Sequence, residues 1–220
     1  MVRLRIAPLA LSLTLLALTA AGCAHSPLTA DEVQRVQRPA FVSRVWGEPE
    51  VRVSGLDRET RSAVESSLRG RVGRFEVAER LRAFTVARLP QRRPWSAAVP
   101  PAQVAGLLQS FLVEEAGRRK PDYGPLAEAG ADSVVELVIE SYGLHGAAAK
   151  SGVFLEGHAR LQTLSGGQLY RRNFRADGLA SNLPTLDARA LAQNPDAFRT
   201  QLNRLLEGVA AQLAEDLSAQ

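Results

Sequence analysis

The side chains able to do chemistry are few and scattered. The chain holds one cysteine, Cys23, and three histidines, His25, His145 and His158, in three different segments. Neither H-x-x-x-H nor C-x-x-C spacing occurs, so the sequence carries no metal-ligating pattern. It also lacks a G-x-S-x-G elbow and a phosphate-binding glycine loop, and Gly166-Gly167 reads as a turn. The pairs Glu114/Glu115 and Glu136/Glu140 have the carboxylates that acid–base work uses. Such work also needs a cleft and perturbed pKa values, and no motif surrounds either pair. In a strand, positions 136 and 140 share a face, and we read them as a polar strand face. The expectation is a chain without catalytic residues, metal or cofactor, and not an enzyme.

Cys23 has a different context. Arg3 and Arg5 precede an apolar run over 6–18, and small residues lead up to the cysteine, the order of a secretory signal. Ordinary cleavage after Ala20-Ala21-Gly22 fits the small-residue rule. An uncleaved span needs roughly 20 apolar residues, which 6–24 nearly supplies, but no basic stop-transfer cluster follows. Ala-Ala-Gly-Cys also resembles the lipobox of bacterial lipoproteins, with Ala20 standing where that family prefers Leu. Cysteine usage decides among these fates. A lone thiol in an oxidising compartment cannot form an internal disulfide, and a thioether-linked lipid removes it. Two or three acyl chains, at ~0.8 kcal/mol per buried CH₂, hold firmly without other help. The resemblance implies a signal peptide over 1–22 and lipidation of Cys23. With Ala24 rather than Asp in second position, it implies the periplasmic face of the outer membrane.

Cleavage before Cys23 leaves 198 residues, enough for one sizeable domain. Without Arg3 and Arg5 the net charge falls from +4 to about +2, so the high pI says little about partners. Arginine supplies 25 of the 27 basic residues, a bias in keeping with the abundant Ala, Gly and Leu. Clusters stand at Arg69/Arg71/Arg74, Arg92/Arg93 and Arg171/Arg172/Arg175. Nucleic-acid binding asks for a concentrated basic face with readers, so no nucleic-acid partner is expected. Solvated faces are the plain reading, and contact with anionic headgroups or peptidoglycan the sharper one. Trp95, Arg171 and Arg172 are candidate partner contacts.

Residues 23–48 read as a lipidated N-terminus and tether with a short helix over 30–36, and the domain as 49–220. A strand is expected at Val51–Val53, then a helix capped by Asp57 and stopped near Gly70 or Gly73. "RFEVAER" alternates as a strand would, giving a β-α-β start, and "AFTVARL" is a second strand candidate. "PQRRPWSAAVPP" must be loop or edge, with Trp95 either plugging the core or anchoring a partner. A helix follows Pro101, with Val104, Leu107, Leu108, Phe111 and Leu112 on one face, and a shorter one spans 123–129. "DSVVELVIESYGL" is the strongest strand signal, apolar enough to be covered on both sides, with "HGAAAKSG" ending it. A hairpin turns at Ser165-Gly166-Gly167. A long C-terminal helix opens at Asn194-Pro195-Asp196, with Phe198, Leu202, Leu205, Leu206, Val209, Leu213 and Leu217 in a stripe. The fold class is α/β (α+β): a mixed sheet of four to six strands with packed helices.

Two patches, "VGRFEVAER" and "AEAGADSVVELVIESYGL" running into "GHARLQTLSGGQLYRR", resemble the periplasmic α/β domain of three protein groups. These are the curli-secretion lipoprotein, the lipoprotein activators of penicillin-binding proteins and the N-terminal domain of the Tol-system translocation protein. The likeness covers about 50–217 and implies an adapter, assembly or activator role with an envelope protein partner. A curli-type pore is not expected. The single candidate hairpin carries Glu156, Arg160, Arg171, Arg172 and Arg175, and lipid-facing charges cost a few kcal/mol each near the midplane.

Overall fold

The computed structural model describes residues 27–108 and 121–218; Cys23, His25, Phe111, Leu112 and the Glu114/Glu115 pair lie outside them. Five strands form one mixed sheet: β1 (Pro39–Val45), β2 (Glu50–Ser54), β3 (Ser133–Ala147), β4 (Lys150–Thr163) and β5 (Gln168–Asp177). β3 is long enough to carry two partners on one side. β1 runs parallel to its first half and β2 parallel to its second, while β4 and β5 add antiparallel on the other side. The helices are α1 (Ala30–Gln34), α2 (Arg58–Arg71), α3 (Arg74–Arg88), α4 (Pro101–Leu107) and α5 (Asp196–Leu217).

Local chemistry explains several boundaries. Asp57 accepts the Thr60 N–H and opens α2, as expected. Asn194 Oδ1 accepts from the Asp196 N–H at the start of α5. Gly130, at φ 73°, ends the 3-10 turn Gly124–Ala129 in the left-handed conformation that glycine adopts without strain. Gly166, at φ 98°, turns the β4–β5 hairpin.

Two expectations require correction. "RFEVAER" and "AFTVARL" are not strands but the single helix α3, whose buried Val77, Ala78, Leu81 and Thr85 fall at helical spacing. The β-α-β crossover therefore closes on β3, parallel to β2, much later in the chain. The tether also ends sooner than 48. Leu28 is 4% exposed with its N–H on the Asp216 carbonyl at 3.1 Å, and all of β1 is buried in the sheet. The folded unit thus reaches back to residue 28, the short helix within it beginning at the Thr29–Glu32 capping box. β3 also runs through His145 and Gly146 to the turn at Ala148-Ala149.

α2, α3 and α5 cover one sheet face. Their core joins Leu68, Leu81, Phe198, Leu206 and Leu213 to Leu137, Tyr142, Leu155 and Leu161 of the strands. On the opposite face, among the described residues, a smaller cluster, Val99, Val104, Tyr123 and Leu126 over Ala40, Val42 and Val134, covers the half of the sheet where β1 and β3 begin.

Candidate functional site

The half of that second face that no helix covers among the described residues holds most of the ionisable groups the strands contribute. Alternation sets its membership: residues opposite one another in the ladder point the same way. Glu136 stands opposite Arg160, Val138 opposite His158, Ser141 opposite Glu156, and Gly143 opposite both Phe154 and Glu50. The register shifts between Ile139 and Ser141. The shift comes after Glu140 on this face: Glu136, Val138 and Glu140 keep the two-residue period, Glu140 reaching His158, and the alternation resets from Ser141 onward. Glu136 is fully buried, whereas Glu140 is exposed.

At the covered margin, Glu136 accepts from Arg44 at 2.7 Å and from Arg160 Nε, and Tyr123 faces it. Burial alone would raise its pKa. Hydrogen bonds from Arg44 and Tyr123 and the charges of both arginines overcome this and hold it below the usual carboxylate range. Burial and the adjoining Glu136 push the Tyr123 hydroxyl far up. The arginine that meets Glu136 from β1 was read as part of a tether. Its partner lies 92 residues away, so no local signal pairs them.

Further along the face, His158 Nδ1 lies 2.6 Å from Glu140 Oε1, and the Trp46 ring meets the imidazole edge-on at 5.7 Å. His145 Nε2 lies 3.0 Å from Asp177 Oδ1. Burial works against the Asp177 charge, but the Ala180 N–H, His145 and the Leu179 N–H lower its pKa. Arg52 donates to Glu50 at 2.8 Å and to Ser141 at 2.8 Å, and lies 4.3 Å over the Phe154 ring. Its hydrogen bond, ahead of a small burial cost, lowers the Glu50 pKa. Glu156 bridges Arg175 at 3.3 Å and Arg52 at 4.0 Å. The result is a lattice of alternating charge, each acid set beside a base. Ser141, the hydroxyl among these groups, is held by Glu50 and Arg52. Among the described residues no group of three His, Cys, Asp or Glu side chains is placed to hold a metal ion.

The three candidate contacts separate. Trp95 is 7% exposed and packs on Phe41 at 6.1 Å between ring centres, plugging the core beside a ≈ 230 Å³ pocket. Arg172 pairs with Asp216, which is 6% exposed and also accepts from Tyr170 at 2.9 Å, so its role is to tie β5 to α5. Arg171 is exposed, opposite Arg160 in the ladder. Cys23 lies outside the described residues. Among the described residues no helix is long and apolar enough to cross a membrane.

No family model matches the chain, and no curated protein matches it either. Among solved structures it is similar to a PelC dodecamer from Paraburkholderia phytofirmans, at 11% identity and TM-score 0.37, covering 90% of this chain and 95% of that one. A point variant of the same PelC gives 13% identity and TM-score 0.36, with coverage of 90% and 96%. A hypothetical protein from Chlamydia trachomatis gives 14% identity and TM-score 0.41, covering 81% of this chain and 96% of that one.

Proposed function

We propose that the protein is a lipid-anchored envelope adapter, held through acylated Cys23 at the periplasmic face of the outer membrane. The carrying observation is the fixed position of Leu28, five residues after Cys23. At ~3.3–3.6 Å per residue, the linker reaches at most ~18 Å. The domain therefore stands close to the bilayer, not ~60 Å away as a tether of some 20 residues would allow. Leu28 sits at the end where β1 and β3 begin and α5 finishes. The charge lattice occupies the other end and faces the periplasm.

That lattice supports an adapter role of binding rather than turnover, because its acids and bases already satisfy one another. A protein surface of complementary alternating charge can exchange these pairs one for one, which favours specificity and encounter rate over raw affinity. The test places a photo-crosslinking residue at exposed Arg175, beside Glu156, in the full-length chain and irradiates intact cells. A single discrete adduct that Arg52→Glu abolishes supports the reading. A crosslinker at exposed Arg69 that yields the same adduct rejects it. Retention of Cys23→Ala in the membrane fraction would reject the anchor.

A further inference from the structure

We propose that the loop between α3 and α4 is a second, electrostatic contact with the membrane, in which Arg88, Arg92 and Arg93 engage anionic phospholipid headgroups. The proposal rests on the lipid-anchored reading for the distance of this loop from the bilayer. Its charge and placement come from the fold.

The end of the molecule that receives the linker is defined by the ladder. Pro39 stands opposite Ser133 and Ser133 opposite Thr163, so β1 and β3 start where β4 stops, and Leu28 binds Asp216 near the end of α5. The α3–α4 loop shares that end. The Val99 N–H bonds to the Pro39 carbonyl at 2.9 Å, and Trp95 rests on Phe41, the third residue of β1. A linker reaching at most ~18 Å therefore brings this loop, and not the charge lattice, toward the membrane surface.

Three arginines concentrate there, none of them in an ion pair with the described residues. Arg92 and Arg93 are exposed and form no ion pair with the described residues. Arg88, in the last turn of α3, donates to the Phe84 carbonyl and lies over the Phe84 ring, and pairs with no acid among the described residues. By contrast Arg82, six residues earlier in the same helix, is held by both oxygens of Glu79. Two acids at the same end are engaged elsewhere, while Asp31, Glu128 and Glu215 are exposed there and none pairs with these arginines among the described residues. Glu32 closes the Thr29 capping box, and Asp132 accepts the Gln37 and Arg38 N–H groups. The loop is also stiff, with Pro90 and Pro94 framing the arginines and buried Trp95 pinning it to the sheet. Arginines on such a platform lose less freedom on binding than arginines on a mobile tail.

Each arginine brought to an anionic surface strengthens binding about 5-fold, less as salt screens it. The experiment uses the chain from residue 24 onward, which keeps the core cluster from Leu28 to Leu217 intact. It is titrated with vesicles of phosphatidylcholine alone or with about one third phosphatidylglycerol, and bound protein is read by flotation. Binding should require the anionic lipid, weaken toward ~0.15 M salt, and fall on the order of 25-fold in Arg92→Gln/Arg93→Gln. Arg69→Gln/Arg71→Gln, in the last turn of α2, should bind as the parent does. Far-UV circular dichroism melts confirm that both variants fold. Equal binding by parent and Arg92→Gln/Arg93→Gln, or binding to isolated sacculi in place of vesicles, overturns the proposal. The anchor is read separately, from the mass of the wild-type chain. A chain without lipid defeats the anchored reading while the vesicle titration still decides the loop.

Discussion

Replacing Glu136 with Gln removes one negative charge from a site where the carboxylate is 0% exposed and its partner Arg44 is 3% exposed. Arg44 loses the carboxylate that meets it at 2.7 Å, with the Arg160 charge still beside it. Removing one partner of a buried pair costs about 3–5 kcal/mol, a large share of the 5–15 kcal/mol typical of a whole domain. For a chain of this size the melting temperature should fall by about 6–20 °C. The pH dependence gives a second handle. The folded pKa of Glu136 is depressed, so its contribution is present above the unfolded value of about 4.3. That contribution is lost as pH falls through the folded pKa. The gap between wild type and Glu136→Gln in urea-unfolding midpoints should be full at pH 7 and close in acid. Glu140→Gln, at an exposed carboxylate, should cost at most about 1 kcal/mol. A Glu136→Gln variant no less stable than Glu140→Gln, or a gap that stays constant into acid, would refute the buried-charge argument.

Other substitutions test the packing. Gly157→Ala would place a Cβ 2.0 Å from the Val138 carbonyl oxygen; backbone cannot yield there, and urea unfolding should show a loss of about 3 kcal/mol. Trp95→Ala should cost about 3–5 kcal/mol and remove the blue-shifted part of the tryptophan emission, since Trp95 is the buried member of the pair. Arg172→Gln should destabilise by about 1.5–3 kcal/mol through Asp216, while exposed Arg171→Gln should stay within about 0.5 kcal/mol by the same assay.

Elements whose signals are local could be read in advance. Asp57 announces α2, the leucine stripe from Leu202 to Leu217 announces α5, and Gly166 announces the hairpin. α3 was missed because Phe75 and Val77 imitate alternation over a stretch too short to show a helical period. Phe75, at 54% exposed, is not a core residue at all. β1 was missed for the opposite reason: its residues are buried without alternation, Ser43 and Arg44 included, so nothing in "PAFVSRV" separates it from linker. The charge lattice was legible only as scattered polar residues. Its pairs join β1 to β3, β2 to β4 and β3 to β5, and the bulge at Glu140 resets which residues share a face. Such a site is written in the ladder register, which the sequence order does not display.

The most direct measurement is the intact mass of the wild-type chain extracted from membranes in mild detergent and flown under native conditions. The account predicts a subunit that begins at Cys23 and carries added lipid, joined to one copy of a different envelope protein. An unmodified subunit mass would contradict the anchor. A closed ring of identical subunits without a partner would contradict the adapter role.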